Sequence, residues 1–148
     1  MAEVILKILK VHQRVMLPRY ESDGASGMDL RAFLDSDVTI QPLCRSKIPT
    51  GLRLEIPFGY EAQVRPRSGM ANKLGLTVLN SPGTIDSDYR GDIEIILVNL
   101  SKEDVIIKDG QRIAQLVIAP VCRAAITLSD TLEESGRGSG AFGSTGSF

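Results

Sequence analysis

The chain has 148 residues, 43% of them hydrophobic and 24% charged, a composition typical of one globular domain. Its 17 basic and 18 acidic residues give a net charge of -1, which excludes a large positive field for gripping a nucleic-acid backbone or an anionic membrane. A small anionic ligand needs only a few local cations and fits this balance.

The N-terminal segment is apolar, but Glu3, Lys7 and Lys10 interrupt it before a signal-peptide core can form. No stretch approaches the ~20 apolar residues of a membrane span. Cys44 and Cys122 belong to no metal-binding or redox motif, so we expect buried free thiols, which fit a reducing compartment. The sequence therefore predicts a cytoplasmic protein without nucleic-acid or membrane partners.

Seven short runs rich in Val, Ile and Leu predict β-strands, most of them bounded by Gly, Pro, Asn or Asp. Their lengths and spacing favour an antiparallel β-sandwich or barrel. The one helix candidate is SGMANKLG, residues 68–75, with Ser68 as its N-cap and Gly75 as its stop. The predicted strands are residues 4–9, 51–57, 60–66, 76–79, 93–100, 104–110 and 112–120.

After Leu128 the composition becomes polar and rich in Gly and Ser. We therefore expect one domain over residues 1–148, with a β body at 1–128 and a flexible C-terminal arm at 129–148. Ordering the last dozen residues would cost on the order of 12 to 24 kcal/mol of backbone entropy. The arm is thus expected to be mobile unless a ligand or another chain holds it.

In SGMDLRA, residues 26–32, a strand would turn Asp29 away from its apolar neighbours. Such an acid can hold a metal-bound water, although a solvent-facing Asp on an edge strand is the more common arrangement. PRSGMA, residues 66–71, puts Arg67 and Ser68 at the start of the predicted helix, where free N–H groups and the helix dipole favour an anion. Ser68 as an ordinary cap is the alternative.

The stretch NSPGTIDSDYRGDI, residues 80–93, carries turn residues at both ends, which predicts a hairpin-like excursion at a rim. In a strand, Asp86 and Asp88 would share one face and Tyr89 would lie on the other. A carboxylate base beside a binding pocket is one interpretation. A hairpin tip with solvated Asp side chains is the other.

DGQRIAQL, residues 109–116, begins with an Asp-Gly turn and then alternates, which predicts Gln115 on the same face as Ile113 and opposite Ala114. A Gln on the apolar face needs buried hydrogen-bond partners.

The C-terminal RGSGAFGSTGSF, residues 137–148, has three glycines in the G-x-G-x-x-G spacing of a phosphate-binding loop. Only five residues follow Gly143, the last glycine of this spacing, so the helix of a dinucleotide fold has no room. Glycine backbone, hydroxyl groups and Arg137 nevertheless suit phosphate oxygens. A disordered solubilising tail is the alternative, although such a tail needs neither Arg137 nor Phe142.

Taken in chain order, ASGMDLRA, PRSGMA, NSPGTIDSDYRG, GQRIAQL and RGSGAFGSTG resemble the five motifs of the trimeric deoxyuridine triphosphatases (dUTPases), from Ala25 to the C-terminus. The resemblance implies a jelly-roll-like all-β fold and a homotrimer with three sites at subunit interfaces. It also implies Mg²⁺-assisted hydrolysis of dUTP to dUMP and pyrophosphate, which keeps uracil out of DNA and supplies dUMP for thymidylate synthesis.

By this resemblance, Asp86 is the general base that activates the water attacking the α-phosphorus. Tyr89 packs under the deoxyribose and excludes a 2′-hydroxyl. The residues that read the uracil are Asn80, Gly83 and Ile85.

By the same resemblance, Asp29 holds Mg²⁺ through its water shell. The phosphates or the attacking water are contacted by Arg67, Ser68, Gly69 and Gln115. The C-terminal arm closes the site with Arg137, Phe142, Gly143, Ser144 and Thr145. Phe142 stacks on the base, and Arg137 and the hydroxyls of Ser144 and Thr145 bind the γ-phosphate end.

Ala141 replaces a usual Gly of the family and Met70 a usual Leu, and neither change removes a reactive group. Two alternatives stay open. A dCTP deaminase resembles the dUTPases, but is expected to lack the full C-terminal motif and to use a Glu in place of the Asp-x-Asp-Tyr arrangement. A nucleotide-controlled regulatory binding protein is the alternative outside the enzymes, and an intact set of candidate catalytic residues argues against a purely regulatory role.

Overall fold

Strands dominate the fold in a computed structural model that describes residues 3–141. Within that part of the chain, eleven strands and one short helix confirm the all-β prediction with a single helix. In chain order they are β1 (Lys7–Lys10), β2 (Met28–Arg31), β3 (Val38–Ile40), β4 (Arg45–Pro49), β5 (Leu52–Glu55), β6 (Tyr60–Arg65), α1 (Ser68–Leu74), β7 (Leu76–Val78), β8 (Gly83–Ile85), β9 (Glu94–Asn99), β10 (Val105–Ile107) and β11 (Arg112–Pro120).

The described strands pair antiparallel in four small sheets and form no closed barrel. The largest sheet has the order β2-β11-β6-β8, and a second has the order β4-β9-β7. The pairs β1-β5 and β10-β3 make up the rest. In the largest sheet, Gln115 of β11 lies opposite both Asp29 of β2 and Arg65 of β6, which sets three polar residues in one row.

Alternating burial along the strands builds the hydrophobic core. In β5, Leu52 and Leu54 are buried while Arg53 and Glu55 are exposed, the pattern of a strand with one face on the core. The buried side chains form one cluster that includes Met70 of the helix. Each fully buried Leu or Ile contributes about 1.5 to 3 kcal/mol relative to an exposed one. The hydrophobic runs of the sequence therefore become strands because one face of each is removed from water.

Asn99, at the end of β9, is a fully buried polar residue. Its amide group donates to the carbonyl oxygens of Ile40, at 2.8 Å, and Glu103, at 2.7 Å. Its side-chain oxygen accepts from the backbone N–H of Ser101 at 2.9 Å. Because its donors and its acceptor are all hydrogen-bonded, Asn99 connects three segments without leaving a buried polar group unpaired.

The helix begins at Ser68 itself, one residue earlier than a Ser68 cap would require, so that prediction is wrong. Arg67 is the N-cap residue, with an extended backbone (φ -93°, ψ 126°) and no side-chain cap bond. Gly75 ends the helix as predicted, because its φ of 62° is the left-handed conformation that glycine adopts at lowest cost.

Cys44 and Cys122 are free, as expected, but both are exposed, which corrects the prediction of burial. Cys44 precedes β4 and Cys122 follows β11, so neither lies on a strand face that packs on the core. Across residues 3–141, no helix has the length and apolar character to cross a membrane.

After Pro120 the described chain has no further strand or helix, up to Ala141. Ile126, Leu128 and Leu132 of this segment are each more than nine-tenths exposed.

Candidate active site

Asp29 is surrounded by two arginines. It lies in β2 between the buried Met28 and Leu30, so its carboxylate is on the sheet face away from the core, as the alternation predicts. The carboxylate is only 10% exposed, with Arg67 Nε 2.9 Å from Oδ1 and Arg112 Nη1 3.1 Å from Oδ2. Asp29 is therefore a paired, largely covered acid, and the alternative of a solvent-facing carboxylate is not what the chain forms.

The sheet order explains how Arg67 reaches Asp29. Strand β6 ends at Arg65 and α1 begins three residues later, while β11 lies between β6 and β2 in the sheet. Ser68 and Gly69 follow Arg67 as exposed residues of the first helical turn, where unpaired N–H groups favour an anion. A Cβ on Gly69 would meet nothing within 4 Å, so a glycine there leaves open space for a ligand.

The predicted placement of Gln115 on the apolar face is wrong. A register shift between Arg112 and Ala114 breaks the alternation, so that Ile113 and Ala114 are both buried. Gln115 then lies half-buried on the outer face, beside Asp29. The bulge thus adds Gln115 to what we call the Asp29 cluster: Asp29, Arg67, Ser68, Gly69 and Gln115.

A second set of predicted residues lines a pocket of about 260 Å³ beside β8. We call it the Asp86 pocket, and its predicted members are Asn80, Gly83, Ile85, Asp86 and Tyr89. Gly83 is buried, and a Cβ there would lie 3.3 Å from both the Asn80 amide nitrogen and Val64 Cβ. Glycine therefore lets the β8 backbone form one wall of the pocket.

The segment from Asp86 to Tyr89 is a turn and not a strand, which corrects the predicted division of its side chains between two faces. The backbone N–H of Tyr89 donates to the Asp86 carbonyl oxygen at 3.2 Å. The turn brings the exposed Asp86 carboxylate and the Tyr89 ring to the same pocket. A carboxylate and an aromatic ring thus line the same pocket, as the pocket interpretation of this stretch requires.

Three charged residues to which no motif assigned a role also line the Asp86 pocket, Lys47, Asp92 and Glu94, and Arg53 pairs with one of them. Lys47 Nζ lies 2.8 Å from Glu94 Oε2, and this bond raises the pKa of Lys47. Arg53 Nε lies 2.7 Å from Asp92 Oδ1, and this bond lowers the pKa of Asp92. The partners in each pair are far apart in sequence, so no local pattern signals them.

Within one chain the Asp29 cluster and the Asp86 pocket lie apart. Ile85 is opposite Ala62, so Asp86 follows β8 toward the Tyr60 end of β6, whereas Arg67 follows the other end of β6. The four residues of β6 from Ala62 to Arg65 span about 13 Å along the strand, at ~3.3 Å per residue. The sheet faces differ as well, because Gly83 and Ile85 are buried on the inner face while the Asp29 cluster lies on the outer one.

The dUTPase family model matches residues 13–146. This chain belongs to the dUTPase family. It is 51% identical to the deoxyuridine 5'-triphosphate nucleotidohydrolase of Syntrophotalea carbinolica over 99% of both chains, and 56% identical to that of Anaeromyxobacter sp., over 97% of this chain and 98% of the relative. Family membership confirms the resemblance and places the chain among the dUTP diphosphatases, hydrolases of nucleotide metabolism.

A solved dUTPase with dUpNHpp, a mutant from Staphylococcus bacteriophage 80alpha, superimposes with a TM-score of 0.82 at 26% identity, covering 96% of this chain and 98% of the other. The predicted jelly-roll β fold of the dUTPases is thereby confirmed.

The C-terminal arm of this dUTPase is described only in part. Arg137 is exposed, and its Nε donates to the Gly140 carbonyl oxygen at 2.8 Å within the arm. Four predicted substrate contacts lie outside the described residues: Phe142, Gly143, Ser144 and Thr145. Of the two departures from the family pattern, Met70 is buried in the core cluster, where it fills the place of a Leu, and Ala141 is exposed.

Proposed function

We propose that this chain hydrolyses dUTP to dUMP and pyrophosphate by attack of an Asp86-activated water on the α-phosphorus. One observation carries the proposal. In a chain of the dUTPase family, one pocket is lined by Asp86 and Tyr89 together with the residues expected to bind uracil, Asn80, Gly83 and Ile85. The reaction would keep uracil out of DNA and supply dUMP for thymidylate synthesis. Residues 1–148 would act as one domain in the cytoplasm, the compartment that two free cysteines fit.

The Asp86 pocket suits base recognition and general-base catalysis. Asn80 supplies an amide that pairs with uracil, and the backbone of Gly83 and Ile85 adds donors and acceptors that cytosine would leave unpaired. Tyr89 offers an aromatic surface under the deoxyribose. Asp86 accepts the proton of the attacking water as the new P–O bond forms and the bond to the pyrophosphate leaving group breaks.

The Asp29 cluster suits the triphosphate. Arg67 gives a guanidinium, Ser68 a hydroxyl, and the first helical turn gives backbone N–H groups, all of which stabilise negative charge on phosphate oxygens. Gln115 is placed to contact the phosphates or the water. The arm would complete the site through Phe142 on the base and, toward the γ-phosphate, Arg137, Gly143, Ser144 and Thr145.

The donor set fits Mg²⁺ that is held mainly by the substrate. Both Asp29 oxygens are engaged by arginines, and no three ligating acidic, His or Cys side chains come together among residues 3–141. Mg²⁺ commonly keeps several waters and binds through substrate phosphates. Asp29 would therefore contact the ion through water, and the bound ion would neutralise developing phosphate charge. A dUTPase of phage phi11 of S. aureus, 22% identical, coordinates a structural Mg(II) ion.

The separation of the two groups supports the proposal of a homotrimer with sites between subunits. One dUTP must meet a base and a phosphate-binding set at once, but in one chain Asp86 and Arg67 lie beyond opposite ends of β6, and the Asp86 pocket and the Asp29 cluster lie on opposite faces of the sheet. A site that takes the pocket from one subunit and the cluster from the next brings both to the same substrate. The exposed apolar side chains after Pro120 agree with packing on another subunit.

Mixed oligomers test this arrangement. Asp86→Asn and Arg67→Ala homo-oligomers are each expected to be nearly inactive, whereas refolding the two variants together should restore activity, since some mixed sites receive both intact residues. Sedimentation should give three times the chain mass of 16.0 kDa. If mixing restores nothing although mixed oligomers form, both groups of each site belong to one chain and the interface proposal is wrong.

Pyrophosphate release tests the reaction itself. Equal concentrations of dUTP, dCTP, dTTP and UTP are compared with Mg²⁺ and with EDTA, and we expect release from dUTP at a rate at least ~10²-fold above the others. EDTA should suppress it. Deamination of dCTP would instead identify a deaminase, and tight dUTP binding without any turnover would identify a regulatory binding protein.

A further inference from the structure

Gly91 lies directly beneath the ring of Tyr89. A Cβ built on Gly91 would lie 2.5 Å from Tyr89 Cζ, 2.9 Å from Cε2 and closer still to the hydroxyl oxygen. Real Cβ atoms do not approach other atoms so closely, because repulsion rises steeply inside van der Waals contact. The ring therefore occupies the volume that any other amino acid at position 91 would fill.

The requirement for glycine at position 91 is one of space and not of backbone conformation. Gly75 has a φ of 62°, in the left-handed region that side chains disfavour, but Gly91 is not among the glycines with positive φ. An alanine at position 91 would thus suffer no backbone strain. The three heavy atoms nearest to its methyl group would all belong to the Tyr89 side chain.

The position of the Tyr89 ring is set by contacts close to Gly91. The Tyr89 hydroxyl donates to the Asp92 carbonyl oxygen at 3.0 Å, so the ring spans the backbone of Gly91. The Asp92 carboxylate is in turn held by Arg53 Nε at 2.7 Å. Tyr89 as a residue is 46% exposed, so its ring has room to swing aside if this local support is lost.

We propose that Gly91 is a positioning residue for sugar selection. Because Gly91 has no side chain, the Tyr89 ring can lie against the backbone. In that position the ring admits a deoxyribonucleoside triphosphate and rejects a ribonucleoside triphosphate. The inference rests on the proposed function of the Asp86 pocket. A methyl group under the ring breaks the bond to Asp92 and displaces the ring from the sugar. The loss should appear chiefly as weaker discrimination at the 2′ position, because no group that reacts is touched.

The test is Gly91→Ala, with kcat/KM measured for dUTP and for UTP. We expect the dUTP-to-UTP ratio of kcat/KM to fall at least tenfold. Gly24→Ala is the matched control, since its Cβ meets nothing within 4 Å and its φ is not positive, and its ratio should equal that of the wild type. A folded Gly91→Ala variant whose ratio stays within twofold of the wild type overturns the inference.

Tyr89→Ala and the double variant Tyr89→Ala, Gly91→Ala complete a cycle. If Gly91 acts through the ring, the two have the same ratio, whereas a further tenfold change in the double variant overturns the inference. Should Gly91→Ala alone fail to fold by circular dichroism, a folded double variant still supports the contact, and an unfolded one overturns it. Wild-type protein that releases no pyrophosphate from dUTP rejects the proposed function, a result distinct from wild-type turnover with an unchanged Gly91→Ala ratio.

Discussion

Asp86→Asn should lower kcat for dUTP hydrolysis about 10²- to 10⁴-fold, the usual contribution of general-base assistance. The amide keeps the shape of the carboxylate but cannot take the proton of the attacking water. Asp86 is exposed at the end of β8, so the substitution removes no buried contact. Binding of dUTP should therefore stay near normal, because Asn80, Gly83 and Tyr89 still line the pocket.

Single-turnover pyrophosphate release and calorimetric binding of dUpNHpp separate the two effects. Asp88→Asn is the matched control, because Asp88 lies in the same turn and is exposed but does not line the Asp86 pocket. It should keep turnover near the wild-type rate. Near-normal turnover of Asp86→Asn, or an equal loss in both variants, would contradict the assignment of Asp86 as the base.

The sequence predicts strands well where one face is buried and poorly where pairing alone makes the strand. The runs that become β5, β6, β9 and β11 carry alternating or continuous apolar residues, and each of these strands buries two or more side chains. Strand β4 has the sequence RSKIP, with only one buried side chain, Ile48. It is extended because it pairs with β9, and a partner so distant in sequence leaves no local signal.

The types of the site residues follow from the motifs, but their placement does not. Asp86 and Tyr89 meet because the backbone turns between them, and Gln115 faces outward because a bulge resets the alternation. Periodicity extended through either feature assigns the wrong face. The arginines around Asp29 come from the end of β6 and the start of β11, so only the sheet order reveals that its carboxylate is paired.

The separation of the Asp29 cluster from the Asp86 pocket within one chain is a property of the sheet, which no motif encodes. Five motifs in order along a chain suggest one continuous site. Antiparallel pairing of β8 with β6 instead sends Asp86 and Arg67 toward opposite ends of β6, and the two groups lie on opposite faces of the sheet. The resemblance to a trimeric family supplies the expectation of interfacial sites, and the sheet geometry gives a physical reason for it.

Removing residues 136–148 should lower kcat/KM for dUTP about 10²-fold or more, as expected when a segment that orients bound substrate is lost. The deletion takes away the Arg137 guanidinium, the glycine backbone and the Phe142 ring, yet leaves every residue of the Asp29 cluster and the Asp86 pocket. It also spares the eleven strands of the described residues, the last of which ends at Pro120, and the apolar Ile126, Leu128 and Leu132.

The oligomer should therefore survive the deletion, and sedimentation of the truncated and full-length chains should give the same assembly state. Arg137→Met is a milder variant, because it removes the charge of Arg137 and keeps the chain length. Its kcat/KM should lie between that of the full-length wild type and that of the truncated chain. A truncated chain that loses its assembly state would show that residues 136–148 hold the subunits together. A truncated chain with unchanged kcat/KM would show that they take no part in the site, and either result would overturn the role assigned to the arm.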